Sequence, residues 1–144
     1  MSERLYLLDT NILLALIRGG DLGHRIEKRF RLRSAKQKPL ISVVSCGEIR
    51  VLADRNGWGE AKRSALDIAL ASVVVVDLNH PDILDAYVRF EAISQQNPSG
   101  ARNMGKNDLW IAACAAAAQA FLLTTDGDFD HLIPDHLTGE IVPP

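Results

Sequence analysis

The sequence predicts an α/β fold, a three-layer α/β/α sandwich around a central parallel sheet. Two observations predict it. Short apolar runs of strand length alternate with longer amphipathic stretches along the whole chain, the pattern of repeated strand–helix units. Several of those runs also stop at a polar or acidic residue just before a helix, as strands of a parallel sheet do when they pass into their crossover connections. The 144 residues favour a single domain spanning 1–144. A chain of this size buries roughly two-thirds of its unfolded surface, so it needs neither disulfide nor metal to fold. Its 47% hydrophobic and 24% charged residues are ordinary for a soluble globular protein. No internal repeat, low-complexity segment or interdomain linker interrupts it.

The first strand lies within Leu5–Asn11, Leu-Tyr-Leu-Leu-Asp-Thr-Asn, with Asp9 at its carboxyl end. Ile12–Ile17 then reads as a short helix stopped by Gly19 and Gly20. From Gly23 to Lys38 a second helix is expected, with Leu22, Ile26 and Phe30 on one stripe. Its other faces carry Arg25, Lys28, Arg29, Arg31, Arg33 and Lys36, a solvated surface or a contact for phosphates or an acidic segment. Pro39 ends it. Leu40–Val44 is the second strand, and Ser45 opens a helix to about Arg55, broken by Asn56-Gly57.

Glu60–Ser72 forms the next helix, with Ala61, Ala65, Ile68 and Ala69 on one side. Four consecutive valines, 73–76, predict a strand buried on both faces. Pro81 suits the first turn of a helix to about Gln96. The stretch 97–105, with Pro98, Gly100 and Gly105, is a loop. An alanine-rich helix, 107–120, leads into a strand at Phe121–Thr124, and Glu140–Val142 adds a short edge strand.

Four acids fall at the joints of this pattern: Asp9, Glu48, Asp108 and Asp126. Each has an ordinary structural explanation. Asp9 can cap the helix after it. Ser45-Cys46-Gly47-Glu48 fits a capping box. Asp108 follows Asn107, a residue suited to capping, and favours its helix dipole. Asp126 sits in an acidic turn, Thr124 to Asp130, which is no EF-hand loop, since His131 stands where Gly is required and Leu137 where Glu is required. In a parallel sheet, however, all four lie at the same end, where open α/β sheets bind ligands. Clustered carboxylates repel, and oxygen donors without His or Cys suit Mg²⁺ or Mn²⁺. Such ions activate a water and stabilise the leaving oxygen in an in-line phosphoryl displacement.

A net charge of −2 exerts no whole-chain attraction on nucleic acid, so any such contact is local. Arg102 and Lys106, beside Asp108 in sequence, are the candidate contacts for a phosphate backbone. Cys46 and Cys114 fall inside expected helices and form no disulfide framework. The apolar run after Arg4 is interrupted by Asp9 and Asn11 and is no signal peptide. Leu109–Leu123 is too short to span a bilayer. The expectation is a cytoplasmic protein with no membrane contact.

The Leu-Asp-Thr-Asn start, the helical Glu48, Asn-Asp-Leu-Trp-Ile-Ala-Ala at 107–113 and the late Thr-x-Asp-x-Asp-Phe together resemble a PIN domain. More narrowly they resemble the VapC-type toxin ribonucleases of toxin–antitoxin pairs. The resemblance covers essentially the whole chain, and the segments around Asp9 and Asp108 are its most specific parts. It implies a metal-dependent endoribonuclease using Asp9, Glu48, Asp108 and Asp126, with Asp9 and Asp108 the foremost ligands of Mg²⁺ or Mn²⁺. Thr125 matches a hydroxyl position that helps order the site, and Asp128 a variable, auxiliary acid. A homodimer and a cognate antitoxin are further implications. Two other readings are a non-catalytic PIN-like module that binds RNA or protein, and a metal-dependent phosphatase. Asp9-Thr10-Asn11 lacks the second acid that Asp-x-Asp phosphatases use.

Overall fold

The structure, a computed structural model, describes residues 4–144. Five short strands form one sheet among these residues: β1 (Tyr6–Leu8), β2 (Leu40–Ser42), β3 (Val74–Val76), β4 (Phe121–Thr124) and β5 (Gly139–Ile141). Their order is β3-β2-β1-β4-β5, and every pairing is parallel. The helices are α1 (Thr10–Arg18), α2 (Asp21–Phe30), α3 (Val43–Arg55), α4 (Glu60–Ala71), α5 (Pro81–Gln95) and α6 (Lys106–Ala117).

From β1 the chain winds outward to β2 and β3, then returns to lay β4 and β5 on the other side of β1. The winding therefore reverses between β1 and β4. At such a switch point the crossovers diverge and leave a crevice beyond the carboxyl ends of the strands. The pleat sorts the core into two layers. Leu7 and Leu122 join Ile83 and Phe90 of α5 and Leu109 and Ala113 of α6. Their neighbours Leu8 and Leu123 join Ile12 and Leu13 of α1, Ile26 of α2, Ile49 of α3 and Leu66 of α4. No helix among the described residues is long and apolar enough to cross a membrane.

Several sequence expectations are corrected by this arrangement. The valine strand is not buried on both faces. β3 is the sheet edge, and Val74 and Val75 are 48% and 45% exposed. A β-branched run specifies a strand but carries no information about its place in the order. The second helix ends at Phe30, well short of Lys38. Arg31 takes a left-handed conformation (φ 51°), and a 3-10 turn at Leu32–Ser34 buries Leu32 in the second core layer. Of the expected stripe only Ile26 is fully buried; Phe30 is half-buried, edge-on to Tyr6. Part of the basic face is a clasp: Arg29 pairs with Glu140, and Arg25 donates to the Pro143 carbonyl at 3.3 Å.

Helix α3 starts at Val43, because Ser42 rather than Ser45 is its cap, accepting from the Val44 N–H at 3.1 Å. The strand before it ends correspondingly early, and the Ser45–Glu48 capping box does not form. Gly105, not Asn107, precedes the first turn of α6, which starts at Lys106. In α4, Leu66 takes the buried position and Ile68 is 69% exposed. A leucine buries far more apolar area than the alanines that suggested the other face.

Candidate active site

The site begins with strand register. Leu8 of β1 pairs with Leu123 of β4, so the next residues, Asp9 and Thr124, emerge side by side. The Asp9 N–H donates to the Leu123 carbonyl at 2.9 Å, holding the two strand ends together. Asp9 caps α1, its Oδ1 accepting from the Thr10 N–H at 2.8 Å. Its Oδ2 accepts the Thr124 hydroxyl at 2.6 Å. Both oxygens are thus fixed, and the residue is 3% exposed. Thr124 Oγ1 also accepts from the Asp126 N–H at 3.0 Å, and Asp126 Oδ1 from the Asp128 N–H at 2.9 Å. On the other side, the Thr10 hydroxyl donates to Glu48 Oε1 at 2.7 Å and lies 2.8 Å from Ser45 Oγ. Two threonines therefore tie Asp9 to the other acid-bearing elements.

Asp108, in the first turn of α6, faces this assembly. One carboxylate oxygen each from Asp108, Asp126 and Asp128 lie within 4.8 Å of one another. Asp9, Glu48, Asp108 and Asp126 line one open cleft of about 840 Å³, together with Asn11, Asn107 and Arg55.

Burial raises the Asp9 carboxyl above its ordinary range, and Glu48 and Asp126 add repulsion; the bonds from Thr124 and Thr10 oppose the rise. Asp108 is pushed up to about 7, first by burial, then by Asp9, Asp126, Glu48 and Asp128. For an acid whose folded pKa is raised, the folded state holds the proton more tightly. Its contribution to stability is lost as pH rises from the ordinary 3.8 through about 7. In EDTA, Asp108→Asn is therefore expected to melt above the parent at pH 8, with the gap closing toward pH 4. Thermal melts across that range check it, and a gap independent of pH contradicts it. Divalent metal should narrow the gap at pH 8 by binding the folded parent.

The donors suit a hard cation. The oxygen donors of the lining are carboxylates, the amides of Asn11 and Asn107 and the Thr10 hydroxyl, with no His or Cys among the lining residues. An all-oxygen set fits Mg²⁺ or Mn²⁺, and the repulsion that raises Asp108 is what a divalent charge would offset.

The expected four acids are thus brought into one cleft, although neither Asp9 nor Glu48 belongs to the close carboxylate triad. Asp128, held as auxiliary, does belong to it. The ordering hydroxyl is that of Thr124, one residue before the expected Thr125, which lines a neighbouring recess with Asn11 and Arg18. Thr124 is the first residue of the Thr-x-Asp-x-Asp-Phe motif, so the sequence marks it; its bond to Asp9 follows from the register of β1 and β4.

Arg102 is engaged elsewhere. Its Nη1 donates to Asp130 Oδ1 at 2.7 Å, its Nη2 reaches the Gly127 carbonyl at 3.5 Å, and its backbone N–H donates to Ser94 O at 2.7 Å. It braces the turn that carries Asp126 and Asp128. Buried Ser94 supports the same turn, its Oγ 2.8 Å from His131 Nε2. Lys106 is exposed, and neither it nor Arg102 lines the cleft. The cation that does is Arg55, which sequence reasoning missed because nothing in its neighbourhood along the chain distinguishes it.

A model of the PIN domain family matches residues 6–133. No curated protein matches the chain. Among solved structures, VapBC2 from Rickettsia felis bound to a DNA fragment from their promoter is 26% identical, with a TM-score of 0.73 over 94% of this chain and 97% of that one. VapBC-1 from nontypeable Haemophilus influenzae is 24% identical, with a TM-score of 0.72 over 94% and 96%. VapC20 from Mycobacterium tuberculosis, a sarcin-ricin loop cleaving toxin, is 22% identical, with a TM-score of 0.63 over 96% and 99%.

Proposed function

The chain belongs to the PIN-domain family, and on that basis we propose that it is a divalent-metal-dependent endoribonuclease, the toxin of a type II toxin–antitoxin pair. The observation that carries this reading is the convergence of Asp9, Glu48, Asp108 and Asp126 on one open cleft at the switch point of the sheet. A fold gains nothing from packing repelling carboxylates together, so their assembly calls for a cation.

Asp108, Asp126 and Asp128 would hold Mg²⁺ or Mn²⁺, with Asp9 and Glu48 beside them. A cation bound there supplies positive charge that eases ionisation of a water and stabilises the leaving oxygen of a phosphodiester. The chain's own residues do the positioning. Thr124 and Thr10 fix Asp9, and Thr10 fixes Glu48. In this reading water attacks the phosphorus and no side-chain nucleophile is required.

The solved complexes of similar fold support a cognate antitoxin as partner. A homodimer acting in the cytoplasm completes the reading, and the free Cys46 and Cys114 accord with a reducing compartment.

Incubation of the protein with a mixed structured RNA tests the nuclease. Cleavage in Mg²⁺ or Mn²⁺ that stops in EDTA is the expected result. Cleavage that persists in EDTA rejects the metal dependence; failure of the folded protein to bind Mn²⁺ at millimolar concentration, with no cleavage, rejects the nuclease and favours the non-catalytic binding module. The toxin role is tested by expression in a bacterial host, where arrest of growth should be relieved by co-expression of a small neighbouring gene.

A further inference from the structure

We infer that Arg55 is the substrate-strand contact of the cleft, holding an RNA phosphate about one or two nucleotides from the point of cleavage. The inference rests on the nuclease reading above and names a residue that neither the sequence nor the family pattern marks.

The cleft poses an electrostatic problem. Four carboxylates line it, and its substrate is a polyanion. A metal bound among the acids answers for the phosphate that reacts, but the flanking phosphates must lie along a wall of their own. Arg55 is the only basic residue on that wall among the described residues. The arginine and lysine expected to serve, Arg102 and Lys106, lie outside it.

Helix geometry places Arg55 usefully. Glu48, Val51, Leu52 and Arg55 all line the cleft, and their spacing of three, four and seven residues puts them on one face of α3. Seven residues span about 10 Å of helix axis. One end of this stripe is therefore in the carboxylate cluster and the other carries a cation at the reach of a neighbouring phosphate. Between them Val51 is 52% exposed, an apolar surface for a sugar or base. The Arg55 side chain makes no hydrogen bond or ion pair with any described residue, in contrast to that of Arg63, which caps the end of the same helix through the Ala53 carbonyl and Asp54. The bland role for an arginine in a last helical turn is interaction with the helix dipole. That role predicts an effect on stability and none on RNA.

The test is equilibrium binding of a short single-stranded RNA in Ca²⁺ over a range of salt concentrations, with steady-state cleavage in Mg²⁺ alongside. Arg55→Gln is expected to weaken binding about tenfold, the lower end for a charge-assisted hydrogen bond. The slope of log K against log salt should fall by about 0.7, the loss of one phosphate contact on a single strand. In cleavage, KM should rise and kcat should change little. Arg50→Gln, which removes the same charge from α3 outside the cleft lining, should bind RNA as the parent does. Binding and salt slope equal to the parent's in Arg55→Gln would overturn the inference and leave the nuclease reading standing. An equal loss in Arg50→Gln would also overturn it, since net charge alone would then explain the effect. A parent protein that neither binds nor cleaves RNA would bring down both readings together.

Discussion

Asp9→Asn is expected to lower metal-dependent RNA cleavage by at least about a hundredfold and to leave the fold intact. Residues that merely support metal ligands cost about 10–100-fold in affinity or activity when removed, so a buried acid whose charge acts on Asp108, Glu48 and Asp126 should reach or exceed the upper end. The fold should survive because asparagine can keep the local bonds. Its Oδ1 can accept from the Thr10 N–H as Asp9 does now, and the Thr124 hydroxyl can turn to accept from Nδ2. The substitution also removes a buried negative charge that repels Glu48 and Asp126. Thermal melts within a few degrees of the parent, beside cleavage rates on the same preparations, check both halves. Asp108→Asn should behave likewise in cleavage. Full activity in both variants would dismiss the site.

The largest effect on stability is expected at Gly23. This residue lies in α2 and is buried against α1. A Cβ there would stand 2.4 Å from the Ala15 carbonyl oxygen and 3.1 Å from its carbon. The obstacle is helix backbone, which cannot rotate aside. Gly23→Ala gains about 1 kcal/mol of helix propensity but must push two packed helices apart, an overpacking cost of about 1–3 kcal/mol. The clash should win, and the melting temperature should fall by several degrees. Because α1 begins at Asp9 and Thr10, its displacement should reach the cleft and lower activity as well. Gly47→Ala is the control in α3, where a Cβ meets nothing within 4 Å; there the propensity term stands alone and stability should rise. A Gly23→Ala variant as stable as the parent would mean that α1 and α2 separate without cost.

Much of the site is legible along the chain because its acids lie where secondary structure changes. Asp9 follows an apolar run, Asp126 follows another, and Asp108 precedes a long apolar helix; the resemblance adds Glu48, which spacing alone would leave as a capping residue. Local errors have a common source. Ser45 and Asn107 are good capping residues, but Ser42 and Gly105 take those positions. Propensity ranks such candidates, while the packed position of the helix selects among them. The same holds for β3 and Ile68, whose apolar side chains remain exposed at a sheet edge and on an outer helix face.

The α/β class, the approximate succession of elements and the identity of the clustered acids follow from the amino-acid order, because each depends on periodicity or on a short motif. Which groups serve those acids depends on how the elements pack. Thr124, which opens the Thr-x-Asp-x-Asp-Phe motif, reaches Asp9 in place of Thr125 because β1 and β4 pair in a particular register. Arg102 becomes a brace because Asp130, 28 residues later, lies within its reach. Arg55 enters the cleft because α3 turns the face carrying Glu48 toward it. Each of these depends on residues distant in sequence being brought together, and no local pattern encodes that distance.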